Sequence, residues 1–289
     1  MMRNQRPLTQ HPAAPFAETE IENIEILLLL QAIYKRWGYD FRDYAPASFK
    51  RRIQRILGIE KVATVSALQE RLLRDVSLMQ RFINQVTVSV TSMYRDPTFY
   101  KAFRNIAIPL LKLRPALRIW IAGCASGEEV YSLAILLREE GLFDRASIYV
   151  TDINQAALDT ARNGIYPLEK MQEYTGNYQA AGGKAEFSEY YQAGHGSVVM
   201  RADLSKNIIW AQHNLVIDAS FNEFDLLLCR NVLIYFNTRL QARVHHLIYD
   251  SLVNDGVLVL GRNESLQLTP HESCFQALDS YEKIYRRVR

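Results

Sequence analysis

The sequence predicts an α/β fold on a Rossmann-like parallel sheet, preceded by an all-helical domain and interrupted by a small inserted subdomain. Three observations carry that expectation. From Glu20 to Val90 apolar side chains recur at a three-to-four spacing throughout. After Pro115 short apolar runs alternate with helical stretches, the pattern of βαβ units in a parallel sheet. One such run, Leu117 to Ala122, leads through Gly123-Cys124-Ala125-Ser126-Gly127 into a helix, as the first crossover of a nucleotide-binding sheet does.

Taken in order, residues 1–19 hold Pro7, Pro12 and Pro15 with few large apolar side chains, and read as a mobile leader. Residues 20–95 are the helical domain, its apolar period marked by Leu68, Leu72, Leu73, Val76, Met79, Phe82, Ile83 and Val86. Within it, Ser48 to Leu57 sets Phe49, Ile53, Ile56 and Leu57 on one face of a helix and Lys50, Arg51, Arg52 and Arg55 on the other. A linking helix at 96–115 begins with Asp96 as N-cap and Pro97 at the first helical position. The α/β domain fills 116–289, with strands at Leu117 to Ala122, Ser147 to Thr151, Phe224 to Cys229 and Val257 to Gly261. Between them fall helices at Val130 to Leu137, Gln155 to Arg162 and about Thr238 to Leu252, then a turn at Asn254-Asp255-Gly256. The inserted subdomain, about 166–206, has Gly182-Gly183, Gly194 and several tyrosines, but no long helical period.

Composition narrows the function classes. With 289 residues, 48% of them hydrophobic and 22% charged, the chain is of ordinary globular make-up. The apolar run Ile26 to Leu30 is far too short for a membrane span, which needs roughly 20 residues. Cys124, Cys229 and Cys274 are scattered, which argues against a disulfide framework and for a reducing cytoplasm. The six histidines show no metal-ligand spacing, so no metal is expected. Charge is uneven: residues 1–118 carry 19 Lys and Arg against 10 Asp and Glu, the remainder 15 against 21. The basic helix therefore points to an acidic partner, either nucleic acid phosphates or an acidic protein surface.

The glycine loop is followed by two acids, Glu128 and Glu129, and a second strand ends at Thr151-Asp152. An acid there can accept both hydroxyls of a ribose. Acids at the helix start would repel a pyrophosphate but attract a cation, so a cationic adenosine cofactor, S-adenosylmethionine, fits better than a dinucleotide.

Five separated segments, from about Ile21 to the C-terminus, carry a resemblance. They are Thr91-Ser92-Met93-Tyr94-Arg95-Asp96, Ala125-Ser126-Gly127-Glu128-Glu129-Val130-Tyr131-Ser132, Thr151-Asp152-Ile153, Cys229-Arg230-Asn231-Val232-Leu233-Ile234-Tyr235-Phe236 and Gly261-Arg262-Asn263-Glu264-Ser265. In order and spacing the chain resembles the CheR-type chemoreceptor glutamate methyltransferases. The resemblance implies an S-adenosylmethionine-dependent methyltransferase sheet, a small β insertion, and methyl-ester formation on receptor glutamates with S-adenosylhomocysteine as product. It puts cofactor contacts on Ser89, Thr91, Arg95, Glu128, Asp152, Asn214, Leu215, Arg230 and Asn231, beside Gly123 of the glycine loop, where a ligand can approach the backbone. Ser89 stands where the family commonly has Asn, and Arg262-Asn263 replace a His-Ser pair.

A glutamate is ionised at neutral pH and attacks a sulfonium methyl without a general base. The site must align and partly desolvate it, for which Arg95 and Tyr235 are the expected positioning groups. Lys50, Arg51, Arg52 and Arg55 would dock the acidic, helical cytoplasmic region of methyl-accepting chemoreceptors, with no direct membrane insertion. Two alternatives compete: a nucleic-acid methyltransferase using the basic domain, and a cofactor-sensing protein without activity. Against the first, there is no Asn-Pro-Pro-Tyr-type motif and no aromatic RNA platform. Against the second, Arg95, Asp152, Asn231 and Tyr235 are all retained.

Overall fold

The computed structural model describes residues 18–87 and 91–289. Ser89 and all but two residues of the expected leader lie outside the described residues, and those two, Glu18 and Thr19, are already helical. Four helices come first: α1 (Glu18–Trp37), α2 (Pro46–Glu60), α3 (Val65–Leu72) and α4 (Val76–Val86). Local chemistry sets their ends. Pro46 occupies the first turn of α2, Thr64 Oγ1 accepts the Ala67 N–H at 3.1 Å, and the Asp75 carboxylate accepts those of Ser77 and Leu78 at 2.8 and 3.0 Å. Next is α5 (Pro97–Lys112). Asp96 precedes it, yet it makes no side-chain cap bond: its φ is 59° and its carboxylate reaches Arg230 instead.

The α/β part runs β1 (Leu117–Ala122), α6 (Glu128–Glu139), β2 (Ala146–Asp152) and α7 (Gln155–Asn163). The insertion follows with β3 (Ile165–Pro167), α8 (Met171–Ala180), β4 (Tyr191–Ala193) and β5 (Ser197–Met200). The sheet resumes at β6 (Ile208–Gln212), then β7 (Phe224–Cys229), α9 (Thr238–Ser251), β8 (Leu252–Leu260), β9 (Phe275–Asp279) and β10 (Ile284–Arg287). Seven strands lie in the order β6-β2-β1-β7-β8-β10-β9, parallel from β6 to β8, with β10 antiparallel to both neighbours. The strand order reverses between β2-β1 and β7, which opens a crevice at the carboxyl ends of β1 and β7.

Two expectations are corrected. The insertion holds a three-stranded sheet, β3-β5-β4, but also α8, whose buried side chains are Met171, Tyr174 and Tyr178. Tyrosines at those positions hide the helical period. Residues 254–256 are not a free turn but part of β8, where Asp255 takes φ 60° and the register with β7 shifts.

Strand alternation divides the core. Ile119, Ile121, Leu226 and Leu228 face α5, α6 and the insertion. Trp120, Ala122, Leu227 and Leu258 face the opposite way, in one cluster with Leu240, Val244 and Ile248 of α9 and with Leu29, Phe49, Ile53 and Phe82 of the helical domain. Both sheet faces are thus buried, as the near-continuous apolar strands require. Among the described residues, no helix is long and apolar enough to cross a membrane, and no group of His, Cys, Asp or Glu forms a metal site.

Candidate active site

The crevice at the strand ends is a cavity, and its floor is the loop after β1. Gly123 and Cys124 both donate to the Thr151 carbonyl, at 2.8 and 3.0 Å, which ties the loop to β2. Gly123 has φ +78°, and a Cβ there would lie 2.5 Å from Val232 Cγ2. Only glycine satisfies both conditions. Asp152 grips the same loop: its Oδ2 accepts the Ala125 N–H at 2.9 Å and its Oδ1 the Asn154 N–H at 2.8 Å. Burial raises the Asp152 carboxyl above its ordinary range, against the pull of these backbone donors.

Of the expected residues, Thr91, Arg95, Gly123, Asp152, Asn214, Leu215, Arg230, Asn231 and Tyr235 all line this one cavity. Asn214 is locked by its own neighbours, donating its N–H to Asp218 at 2.7 Å and accepting the Val216 N–H at 3.0 Å on Oδ1. Asn231 sits at φ 61°, and its N–H donates to the buried Glu264 at 3.0 Å. Glu264 also accepts the N–H groups of Leu233 and Gly261, so one carboxylate shapes the whole turn after β7. Burial pushes its carboxyl up, and the backbone donors around it oppose this. Glu264 lies in the last of the five resembling segments, where local spacing alone gives it no task. A lone acid flanked by strand-end residues is the signal that was there to be read.

One expected residue lies elsewhere. Glu128 does not line the cavity: it is 3% exposed, and its carboxylate accepts from Ser126 Oγ at 2.7 Å and from the Tyr174 hydroxyl at 3.1 Å, towards the insertion. Glu129, about 100° further round the helix, lines it instead. Glu129 is held by Arg230, whose Nη1 donates to it at 2.6 Å while Nη2 donates to Asp96 at 2.9 Å. The guanidinium also lies 4.0 Å from the centre of the Phe99 ring.

The basic face of α2 is divided. Lys50 pairs with Glu22 at 2.6 Å, while Arg51 and Arg55 are exposed. Arg52 turns into the cavity, donates to the Val86 carbonyl and to Ser48 Oγ, and lies 4.8 Å from the Tyr235 ring centre. Burial lowers its guanidinium, which remains a cation. Tyr44, Val86 and Thr87 join it from the helical domain, and His213 from the end of β6. None of these was expected at the site, because their reach depends on how the helical domain docks. That docking is fixed where Ala45 N–H donates to the Tyr235 carbonyl and Asn237 N–H to the Asp43 carbonyl, both at 2.9 Å. Tyr44 and Phe236 meet edge to face beside these bonds.

The cavity thus has walls from both parts of the chain, acids Asp152 and Glu129, and cations Arg52, Arg95 and Arg230. Tyr94, Asp96, Ala125 and Asn231 hold φ between 50° and 61° around it, a concentration of costly backbone typical of built sites.

Comparison with known proteins agrees with this architecture. Residues 89–284 match a family model described as "CheR methyltransferase, SAM binding domain", and residues 24–87 match "CheR methyltransferase, all-alpha domain". A Pseudomonas putida protein, Cher3, a methyltransferase by name, is 48% identical over 92% of this chain and 97% of its own. A chemotaxis protein methyltransferase of Listeria innocua is 29% identical over 89% and 95%, and one of Salmonella typhimurium 26% identical over 82% of each chain.

Proposed function

The chain belongs to the CheR methyltransferase family, and from that membership we propose that it methylates glutamate side chains of bacterial chemoreceptors, as a protein-glutamate O-methyltransferase. Its domain at 89–284 is the S-adenosylmethionine-binding unit of the family, and the enzyme is an S-adenosylmethionine-dependent methyltransferase. The residues suit this cofactor. Asp152 and Glu129 match ribose hydroxyls and an ammonium, and the acidic start of α6 is a poor seat for phosphate. When bound, S-adenosylmethionine supplies a methyl group carried on a positively charged sulfur.

The chain's own residues do the rest. Asp152 takes the ribose hydroxyls, Glu129 the ammonium, and Asn214 and Leu215 flank the adenine. Thr91, Arg230 and Asn231 close the methionine end. Arg95 and the Tyr235 hydroxyl orient the incoming carboxylate, and the apolar walls from Tyr44, Val86 and Phe236 strip water from it. Arg51 and Arg55 face outward to meet the acidic cytoplasmic helices of the receptor, which makes the cytoplasm the working compartment. The observation that carries this reading is that Arg95 and Tyr235 share a cavity with Asp152 and Glu129. The nucleic-acid alternative is not supported, since the relatives above are chemotaxis or CheR-type enzymes by name.

The test is transfer of labelled methyl from S-adenosylmethionine to receptor cytoplasmic fragments, followed by mild alkali. Alkali-released label is expected, as from an ester. Label that stays bound, as on nitrogen, or label reaching RNA but not receptor, would overturn the proposal.

A further inference from the structure

Five charged side chains of alternating sign form a row that reaches the cavity, starting at the buried Glu282 and passing the partly exposed Arg262. Glu282, in the turn between β9 and β10, accepts Arg262 at 2.8 Å. Arg262 Nη1 lies 3.7 Å from Asp96, Asp96 accepts Arg230 at 2.9 Å, and Arg230 donates to Glu129 at 2.6 Å. Three acids and two bases leave one negative charge unbalanced. The row ends at the cavity wall, on Glu129. Arg230 is 3% exposed, so water screens its two ion pairs little.

Arg230 is therefore shared between two carboxylates, and whatever Asp96 takes of it Glu129 does not. We infer that Asp96 is a positioning residue for the cofactor's amino-acid end: by drawing on Arg230 it keeps Glu129 negative enough to receive an ammonium. This deepens the cofactor reading above and rests on it. Asp96 itself does not line the cavity. Arg262 acts one step further out with the opposite sign. By occupying Asp96 it returns Arg230 to Glu129.

The alternating row makes a prediction that a merely structural ion pair does not. The measurement is calorimetry on the full chain with two ligands: S-adenosylhomocysteine, which carries the amino-acid end, and 5′-methylthioadenosine, which lacks it. Asp96→Asn is near-isosteric and tolerates the left-handed backbone at this position. It is expected to weaken S-adenosylhomocysteine roughly tenfold, the scale of one lost charge interaction, and methylthioadenosine less than about twofold. Arg262→Gln is expected to leave methylthioadenosine alone and to tighten S-adenosylhomocysteine by about twofold, a small shift because Arg262 is partly exposed. Equal losses for both ligands in Asp96→Asn, no loss in either, or weakened S-adenosylhomocysteine in both variants would overturn the inference. If Asp96→Asn does not fold, the sign of the Arg262→Gln change decides. A parent protein that binds neither ligand would instead overturn the cofactor reading itself.

Discussion

Gly123 and His245 are single residues whose surroundings fix what a substitution must do. At Gly123 a methyl group meets Val232 at 2.5 Å on a backbone with φ +78°. Gly123→Ala is expected to cost about 1–3 kcal/mol of stability and to abolish binding of S-adenosylhomocysteine, read by chemical denaturation and calorimetry. Full binding in this variant would mean that the loop does not floor the cofactor site. His245, on α9, is 1% exposed, and burial pulls its imidazole down from 6.5 to about 4. Between those values the unfolded chain holds a proton that the folded chain does not, so stability falls as pH drops through 6.5 towards 4. The loss due to this residue is about 2 kcal/mol by pH 5. Asp152, Glu128 and Glu264, all raised by burial, act with the opposite sign, because the folded state then holds protons more tightly. Comparing His245→Phe with the parent isolates the histidine. Between pH 7 and 5 the denaturation midpoint of the variant should fall less than that of the parent, or rise, and parallel curves would refute the assignment.

Helix α2 does two jobs with one row of basic residues, and the division follows from where each points. Arg52 belongs to the cavity, whereas Arg51 and Arg55 lie one turn apart in solvent. Arg51→Glu with Arg55→Glu is expected to raise KM for receptor fragments roughly tenfold, less so at high salt, with unchanged affinity for S-adenosylhomocysteine. An unchanged KM would remove α2 from the docking surface. The same helix shows what was legible in the sequence. Its amphipathic period was plain, because Phe49, Ile53 and Ile56 obey one spacing. The turning of Arg52 into the site was not, since it depends on Val86 and Ser48 as partners and on Tyr235, 183 positions away in the chain. Local motifs likewise marked the turns at Gly123, Asp152 and Asn231. They could not choose between Glu128 and Glu129, which adjoin in the chain and face different ways. Helix α8 escaped because tyrosines form its buried stripe, and the bulge at Asp255 because Asn-Asp-Gly is also ordinary turn chemistry.

At the scale of the whole molecule, one apolar cluster runs from α1 through the helical domain to α9 and the sheet, so the two parts share their stability. Phe236, which packs on Tyr44, reports on this union. Phe236→Ala is expected to cost about 3 kcal/mol and to lower a single melting transition. Trp37 in the helical domain and Trp120 in the sheet should report the same midpoint, and two separate midpoints in the parent would show independent units. S-adenosylhomocysteine should raise that common Tm, since its cavity draws on both parts. The sheet order has a kinetic consequence of its own. Strand β10 lies between β8 and β9, so β9 and β10 reach the sheet as a hairpin docking through β10. Until it docks, β8 ends the sheet with an apolar run from Val257 to Leu260 and no pairing on one side. Such an open edge invites strand addition from another molecule. Refolding yield should therefore fall with protein concentration, and crowded, slowly made chains should need a chaperone to shield β8 until the hairpin arrives.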